Sequence, residues 1–421
     1  MAEIQPLRTL RYEPATAGPL EDVIAPPYDV IDDELRARLL ARSPNNVVEI
    51  DLPRANGSDP YEHAAATMRD WRERGVLVRE DEPAVWVLRQ DYTAPDGRPS
   101  TRTGFLARVR VEDYGAGRIR PHERTHPGPK EDRLRLTRAT RTNLSPIFSL
   151  FDDPEGAAGE ALGRAATGEP FASAADHEGT GNVIWRISEP DALAALQGAL
   201  DSAELLIADG HHRYETARVF ADEVGGEGEH RYVLMLLCSL SDPGLTIFPT
   251  HRLLTGLKAD EAKQLAIREV LTRDFEIEPL DDPAHLEGPP GQPVSFGYMD
   301  SFHRAPYRVT LKDQSVADAA LAGKPDAYRR VDTAVLEALV LQGALGMSED
   351  DISHLRGLDY SKNLDDAIDA VQSARADAGF FMRPTPVDQV RQVAEAGESM
   401  PPKSTYFFPK VPTGLVFSPL E

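Results

Sequence analysis

The sequence predicts a mixed α/β chain of the α+β kind, organised as two domains or as one domain with large insertions. Three observations carry this. At 421 residues the chain exceeds what one ordinary hydrophobic core supports. Its 41% hydrophobic and 27% charged residues are a globular composition. Short apolar runs of strand length alternate along it with segments at helical spacing.

Asp59-Pro60 starts a helix, with Asp as cap and Pro in the first position. Tyr61, Ala64, Ala65, Met68 and Trp71 follow at helical spacing until Gly75, and read as core. Ala84–Tyr92 and Thr101–Val111 are strand-like and flank the turn Ala94-Pro-Asp-Gly97, which predicts a hairpin. From Phe151 to Gly181 the chain is rich in Ala, Gly and acidic residues, as in a surface excursion or linker. Ser188 and Pro190 then open a helix through Leu193, Leu196 and Leu200. Glu204–Ala208 reads as a buried strand, His212 to about Val224 as a helix, and Arg231–Leu240 as a second buried strand. A strand-turn-helix-strand unit of this kind ordinarily gives parallel strands. Ala259–Thr310 alternates a helix with strand pieces around the surface loop Gly288–Pro293. Beyond Asp332 the pattern is mainly helical: Val335 to Val340, Leu364 to Ala374, and a helix opened by Thr385-Pro386.

The net charge of -23, with no local Lys/Arg run, argues against nucleic acid as a partner. No stretch approaches the roughly 20 apolar residues that span a bilayer. The first residues lack the basic start and apolar core of a signal peptide, so a cytoplasmic protein without membrane association is expected. The single cysteine, Cys238, sits in the apolar run from Tyr232 and is expected to be buried and inert, which leaves no disulfide or cysteine-rich metal site.

Asp209-Gly-His-His-Arg213 joins the strand to the helix. Gly210 permits a sharp turn and close approach of a ligand. Free N–H groups and a partial positive charge make a helix start an anion site. His211, His212 and Arg213 oppose that dipole locally, which makes sense where an anion sits among them. A second constellation, Arg120-Pro-His-Glu-Arg-Thr-His126 with Lys130, Asp132 and Arg133, reads as a charged loop. It offers Glu123 as general base and His122 as a substrate contact. His122 and His126 at i,i+4 are zinc-ligand spacing, but Pro121 and Pro127 disfavour a helical turn between them. Pro26-Pro-Tyr-Asp29 is a stiff loop that either presents Tyr28 and Asp29 to a ligand or turns the chain. In the tail, Lys403, Ser404 and Thr405, with Lys410 nearby, suit an anion cradle; the alternative is an edge strand guarded by lysines. His251 and Arg252 follow the second buried strand and would reach the turn if the sheet were of the open parallel kind.

The turn resembles the corresponding motif of sulfiredoxin and, more loosely, the phosphate box of the ParB nucleotide-binding domain. Where sulfiredoxin has its catalytic cysteine this chain has His211, which excludes the same sulfinic-acid chemistry but keeps the phosphate site. Four blocks in order, Ala25-Pro-Pro-Tyr-Asp-Val-Ile31, Pro121-His-Glu-Arg-Thr125, Ala208-Asp-Gly-His-His-Arg-Tyr-Glu215 and Met400-Pro-Pro-Lys-Ser-Thr-Tyr-Phe-Phe-Pro-Lys410, resemble an uncharacterised prokaryotic family grouped with the ParB/sulfiredoxin-like proteins. That superfamily includes free serine kinases. The resemblance implies a ParB/sulfiredoxin-like unit at 180–255, between an N-terminal α/β region at 1–150 and a C-terminal α/β to helical region with a returning tail at 256–421. It implies ATP or ADP with Mg²⁺, a small hydroxylated acceptor with free L-serine foremost, and catalytic roles for Glu123, Asp209 and His211. Nucleotide contacts fall to Gly210, His211, His212, Arg213, Lys403, Ser404 and Thr405, substrate contacts to Tyr28, Asp29, His122 and Arg252, and the metal to Asp209. Two rivals stand beside it: a nucleotide-binding regulator without catalysis, and a metal-dependent hydrolase built on His122, His126, His211 and His212.

Overall fold

In the computed structural model, which describes all residues but 1, 55, 56, 58, 95, 96, 115–118, 124–126, 201 and 202, and the side chains of 127–129 not at all, the chain forms two compact units. The first comprises Met1–Pro121, Thr125–Thr246 and Pro409–Glu421; the second comprises His122–Arg124 and Ile247–Phe408. The fold is mixed α+β.

The first unit is built on a mixed sheet. Its strands are β1 (Ile4–Gln5), β2 (Val85–Thr93), β3 (Pro99–Arg110), β4 (Ile119–Pro121), β5 (Ile147–Phe151), β6 (Ala172–Ala175), β7 (Gly181–Ile187), β8 (Leu205–Asp209) and β9 (Tyr232–Ser239). They lie in the order β4-β8-β5-β9-β3-β2-β7-β6, with β1 on β3. The hairpin predicted around Ala94–Gly97 is β2–β3, paired antiparallel from Trp86↔Leu106 to Thr93↔Pro99. Gly104 is obligatory there, since a Cβ would stand 2.6 Å from the Leu237 carbonyl oxygen of β9. The predicted linker at 151–181 is instead structured: a helix at Ala157–Ala165 buries Ala158, Ala161 and Leu162, and β6 and β7 close the sheet edge. Small residues that read as linker are here close-packing residues.

The strands either side of the central helix are not parallel. β5 lies between β8 and β9, antiparallel to β8 and parallel to β9, so β8 and β9 run in opposite directions. The helix connecting them, α4 (His211–Val224), packs chiefly against a second helix, α3 (Pro127–Thr140), while its Tyr214 and Ala217 join the core of the sheet. The parallel expectation assumed a connection that carries the chain back to the end of the sheet where β8 starts, whereas here β9 starts at the end where β8 finishes. Lys130, Asp132 and Arg133, expected in a loop, lie on α3, whose Pro127 stands at a helix start where Pro is tolerated.

Two further helices belong to this unit: the single turn α1 (Val48–Asp51) and the longer α2 (Pro60–Glu73). Asp59 caps α2 by accepting from the amides of Tyr61 and Glu62, as the sequence predicts. Ala64, Ala65, Met68 and Trp71 are buried. The tail threads back through this unit. Thr413 bridges to Ala25, Phe417 to Leu10, and Ser418–Pro419 pairs with Thr142–Asn143. Buried Arg102 donates 2.6 Å to the carbonyl of Pro409 and lies 4.4 Å over the Phe148 ring, and Gln90 donates 3.1 Å to the carbonyl of Lys410. Cys238 is fully buried, and burial pushes its thiol far up, which removes thiolate reactivity.

The second unit carries a mixed-length antiparallel sheet of β10 (His251–Leu254), β11 (Phe275–Pro279), β12 (Ser295–Asp300), β13 (Tyr307–Leu311), β14 (Leu358–Ser361) and β15 (Ala378–Phe381), in the order β11-β13-β12-β15-β10-β14. α5 (Glu261–Asp274) and the helical segments Asp332–Leu336 and Glu337–Ala344 pack on one face. The chain beyond Asp332 is therefore less helical than its pattern suggests: β14 and β15 are strands, and β15 sits between β12 and β10. Four-residue strands are too short to show a period of their own.

Candidate functional site

β8 ends at Asp209 and α4 begins at His211, with Gly210 between them in the left-handed region at φ 94. A Cβ on Gly210 would stand 2.9 Å from Arg213 Nε, so this turn needs glycine both for its dihedral angles and for its space. The first turn of α4 contains no acidic residue. His211 and Tyr214 are buried, and the Tyr214 hydroxyl donates 2.8 Å to the Glu112 carbonyl, fixing the helix to the segment after β3.

Charge gathers at the strand end. Asp209 Oδ2 lies 3.4 Å from Lys410 Nζ and 3.3 Å from Arg213 Nη2. Burial pushes the Asp209 carboxyl up, but Lys410, Arg213 and His211 outweigh it and hold it well below the ordinary carboxylate range. Two cations against one carboxylate leave an excess of one positive charge beside the positive end of α4. The Arg213 fork, expected to face phosphate, is turned inward. It donates to Ser145 Oγ (2.7 Å), to the Pro146 carbonyl and to Asp209. It braces the turn, while Lys410 reaches Asp209 from the tail.

The Pro26-Pro27 loop lies against the same structure. Thr413 and Ala25 exchange backbone hydrogen bonds, and the Thr413 hydroxyl donates 2.9 Å to Ser145. A cavity of about 40 Å³ is lined by Tyr28, Asp51, Arg133, Ser145, Arg213 and Thr216. That is room for roughly three water molecules. The Arg133 guanidinium stacks 4.2 Å over the Tyr28 ring and donates 2.7 Å to the Asp51 carbonyl and 3.2 Å to Asp51 Oδ1. Burial pushes the Tyr28 hydroxyl up to about 12, against the pull of Arg213 and Arg133. Burial likewise raises the Asp51 carboxyl against Arg133 and Arg213, and Asp51 Oδ2 accepts no hydrogen bond among the described residues. Asp29 is exposed beside them. Asp51 and Ser145 were not legible in the sequence. Asp51 closes an apolar run, Asn46-Val-Val-Glu-Ile-Asp51, that reads as core, and Ser145 precedes a strand without any motif.

The other expected residues belong to the second unit. His122 Nε2 is 2.8 Å from the Thr405 hydroxyl, its carbonyl accepts 2.7 Å from the Met400 amide, and Glu123 Oε1 lies 3.8 Å from the same ring nitrogen. Ser404 is buried, and its hydroxyl donates 2.7 Å to the Pro401 carbonyl and meets the Thr333 hydroxyl at 2.8 Å. Lys403 is exposed at φ 55. The cradle expected of these residues is thus partly a packing network. Arg252 sits on β10, buried, donating to the carbonyls of Thr250 and Pro402, and burial pulls its guanidinium below its ordinary range. The open parallel sheet that motivated it and His251 is absent, since β10 has antiparallel neighbours on both sides. Arg124, Thr125 and His126 lie outside the described residues.

Among the described residues no group of three or more His, Cys, Asp or Glu side chains is placed to hold a metal ion. Asp209 alone, already facing two cations, is not a protein-made metal site; it suits Mg²⁺ only together with phosphate oxygens. No helix among the described residues is long and apolar enough to cross a membrane.

Because Asp209 is depressed by its partners, its contribution to stability is fully present above roughly pH 4 and is lost as pH falls below that range. Asp209→Asn is therefore expected to melt at a lower temperature than the parent at neutral pH. The two curves should draw together progressively as pH falls below about 4. Parallel melting curves over that window would contradict the ion-pair geometry.

The chain is 13% identical to a conserved hypothetical protein from Pyrococcus furiosus, with a TM-score of 0.35 over 71% of this chain and 92% of that one. A free serine kinase in complex with AMP is 13% identical at a TM-score of 0.36, over 71% and 89% of the two chains. A C-terminally truncated SbnI from Staphylococcus aureus is 11% identical at 0.37, over 73% and 85%. No curated protein matches the chain. The family model described as "Protein of unknown function (DUF1015)" matches residues 4–334, and the chain belongs to that family.

Proposed function

We propose that the first unit binds a nucleotide through its phosphates at the Gly210 turn and transfers a phosphoryl group to a small hydroxylated acceptor, free L-serine being the leading candidate. One observation carries this reading. Residues from three sequence blocks far apart in the chain, Tyr28, Asp209–Arg213 and Lys410, converge on one strand-to-helix turn with an excess of positive charge. The motif resemblance of that turn supports it.

In this reading the first-turn amides of α4 and Lys410 take the phosphates, and Lys410 exchanges Asp209 for phosphate as its partner. Arg213 holds the turn in shape from behind. Asp209 would hold a nucleotide-borne Mg²⁺ only together with phosphate oxygens, and the ion would supply charge neutralisation there. Asp209 is a poor base, since its carboxyl is held so low. The cavity beside Tyr28 and Asp51, with its unpaired carboxylate oxygen, suits the acceptor's polar groups.

The test is incubation with ATP or ADP, Mg²⁺ and L-serine, with phosphoserine read by mass spectrometry. Lys410→Ala is expected to weaken nucleotide binding by about 10- to 100-fold, the loss of one charge-assisted contact, and to lower product accordingly. Unchanged nucleotide affinity in Lys410→Ala would sink the phosphate assignment. Nucleotide binding without product from any hydroxylated acceptor would favour a regulator.

A further inference from the structure

The cavity of about 40 Å³ beside the Gly210 turn has the size of a head group, not of a whole metabolite. Most of the side-chain oxygens that line it are committed within the protein. Thr137, Thr142 and Thr216 donate to backbone carbonyls, Asn143 accepts from the Leu234 amide, and Ser145 accepts from Arg213 and Thr413. Two oxygens are left. Asp51 is only 3% exposed, yet its Oδ2 accepts no hydrogen bond among the described residues. The Tyr28 hydroxyl, on the same lining, has no hydrogen-bond partner among them either. A buried carboxylate oxygen without a donor is costly, and here both free oxygens are served by the same thing, a group that donates.

Charge decides what kind of donor. Both arginines of the lining are engaged: Arg213 by Asp209, Ser145 and the Pro146 carbonyl, and Arg133 by two carboxylates at once. Arg133 donates 2.8 and 2.6 Å to Asp132 Oδ2 and 3.2 Å to Asp51 Oδ1. One guanidinium against two carboxylates leaves this side of the cavity negative, and the exposed Asp29 adds to it. Burial raises the Asp51 carboxyl against Arg133 and Arg213, and Asp132 and Asp29 add to the rise. Beyond Arg213 the excess is of the opposite sign, where Lys410 and Arg213 face Asp209. A water would satisfy the two oxygens but not the charge. A primary ammonium, with three donors and no acceptor, satisfies both.

We infer that this cavity takes the primary ammonium of the acceptor on Asp51 Oδ2 and the Tyr28 hydroxyl, which makes the acceptor a small hydroxylated amine and not an amine-free hydroxy acid. The inference rests on the proposed function only for the fate of the acceptor's own hydroxyl. The test titrates the full chain calorimetrically, with and without ADP and Mg²⁺, using L-serine, ethanolamine and glycerate, in which a hydroxyl replaces the amine of serine. Both amines are expected to bind saturably and about tenfold or more tighter than glycerate, the worth of one charge-assisted contact. Asp51→Asn is expected to remove that preference. Tyr28→Phe, which keeps the ring under Arg133, is expected to weaken both amines about threefold to tenfold with the circular-dichroism spectrum unchanged. Glycerate bound as tightly as the amines, amine affinity indifferent to both variants, or no amine binding up to about 10 mM under either condition would overturn the site. Amine binding without any phosphorylated product would uphold the ammonium site and sink the phosphoryl transfer. Product formed from glycerate as readily as from L-serine would uphold the transfer and overturn the ammonium site.

Discussion

Arg213→Ala is expected to cost the first unit about 3 to 5 kcal/mol and, on the proposed function, to abolish nucleotide binding. The guanidinium donates to Ser145, to the Pro146 carbonyl and to Asp209 from a mostly buried position. Removing one partner of such a network leaves the others desolvated and unpaired, which is the expensive way to break it. Asp209 would retain Lys410, but the end of β8 would lose its tie to the segment leading into β5. Denaturant unfolding and nucleotide calorimetry on the same preparations check both parts. Arg213→Lys separates charge from shape: a lysine keeps the cation but cannot fork to Ser145 and Pro146 together, so it should recover little of either property. Binding lost with stability intact would mean that Arg213 reads phosphate directly.

The second large effect concerns the tail. Phe417 is fully buried, 5.6 Å edge-on to Tyr12, in one cluster with Leu10, Met68, Trp71 and Val76. Phe417→Ala is expected to cost about 3 to 5 kcal/mol, because the cavity forms where backbone ladders limit collapse. The neighbouring backbone is held by the Leu10↔Phe417 bridge and by Ser418–Pro419 on Thr142–Asn143. Denaturation midpoints would show it. Since Lys410 and Thr413 stand on the same stretch, the proposed nucleotide affinity should fall with it. A Phe417→Leu variant, which keeps most of the apolar volume, should restore most of both. Loss of less than about 1 kcal/mol in Phe417→Ala would show that the tail contributes little to this core.

Several elements were legible because their signals are local. Asp59-Pro60 announces α2 by cap chemistry, the Ala94–Gly97 turn announces the β2–β3 hairpin, and Asp209-Gly210 announces a sharp strand-to-helix turn. Each depends on a few adjacent residues and on dihedral preferences that no distant contact overrides. The helices at Ala157–Ala165 and Pro127–Thr140 were hidden for the opposite reason. Small residues and prolines read locally as loop, and only packing against neighbouring elements makes the helical state the stable one.

By itself, then, the sequence determined the mixed α+β class, the sharp strand-to-helix turn at Gly210 and the buried, unreactive state of Cys238. These rest on periodicity, on a φ that only glycine adopts without strain, and on an apolar run. The tertiary structure alone decided that β5 separates β8 from β9 and reverses their relation. It alone turned the Arg213 fork inward, brought Lys410 from the tail to Asp209, and set Asp51 beside Arg133 and Tyr28. Strand order and ion pairing between distant segments are settled by which surfaces bury best together. That is a property of the assembled chain, and no window of neighbouring residues contains it.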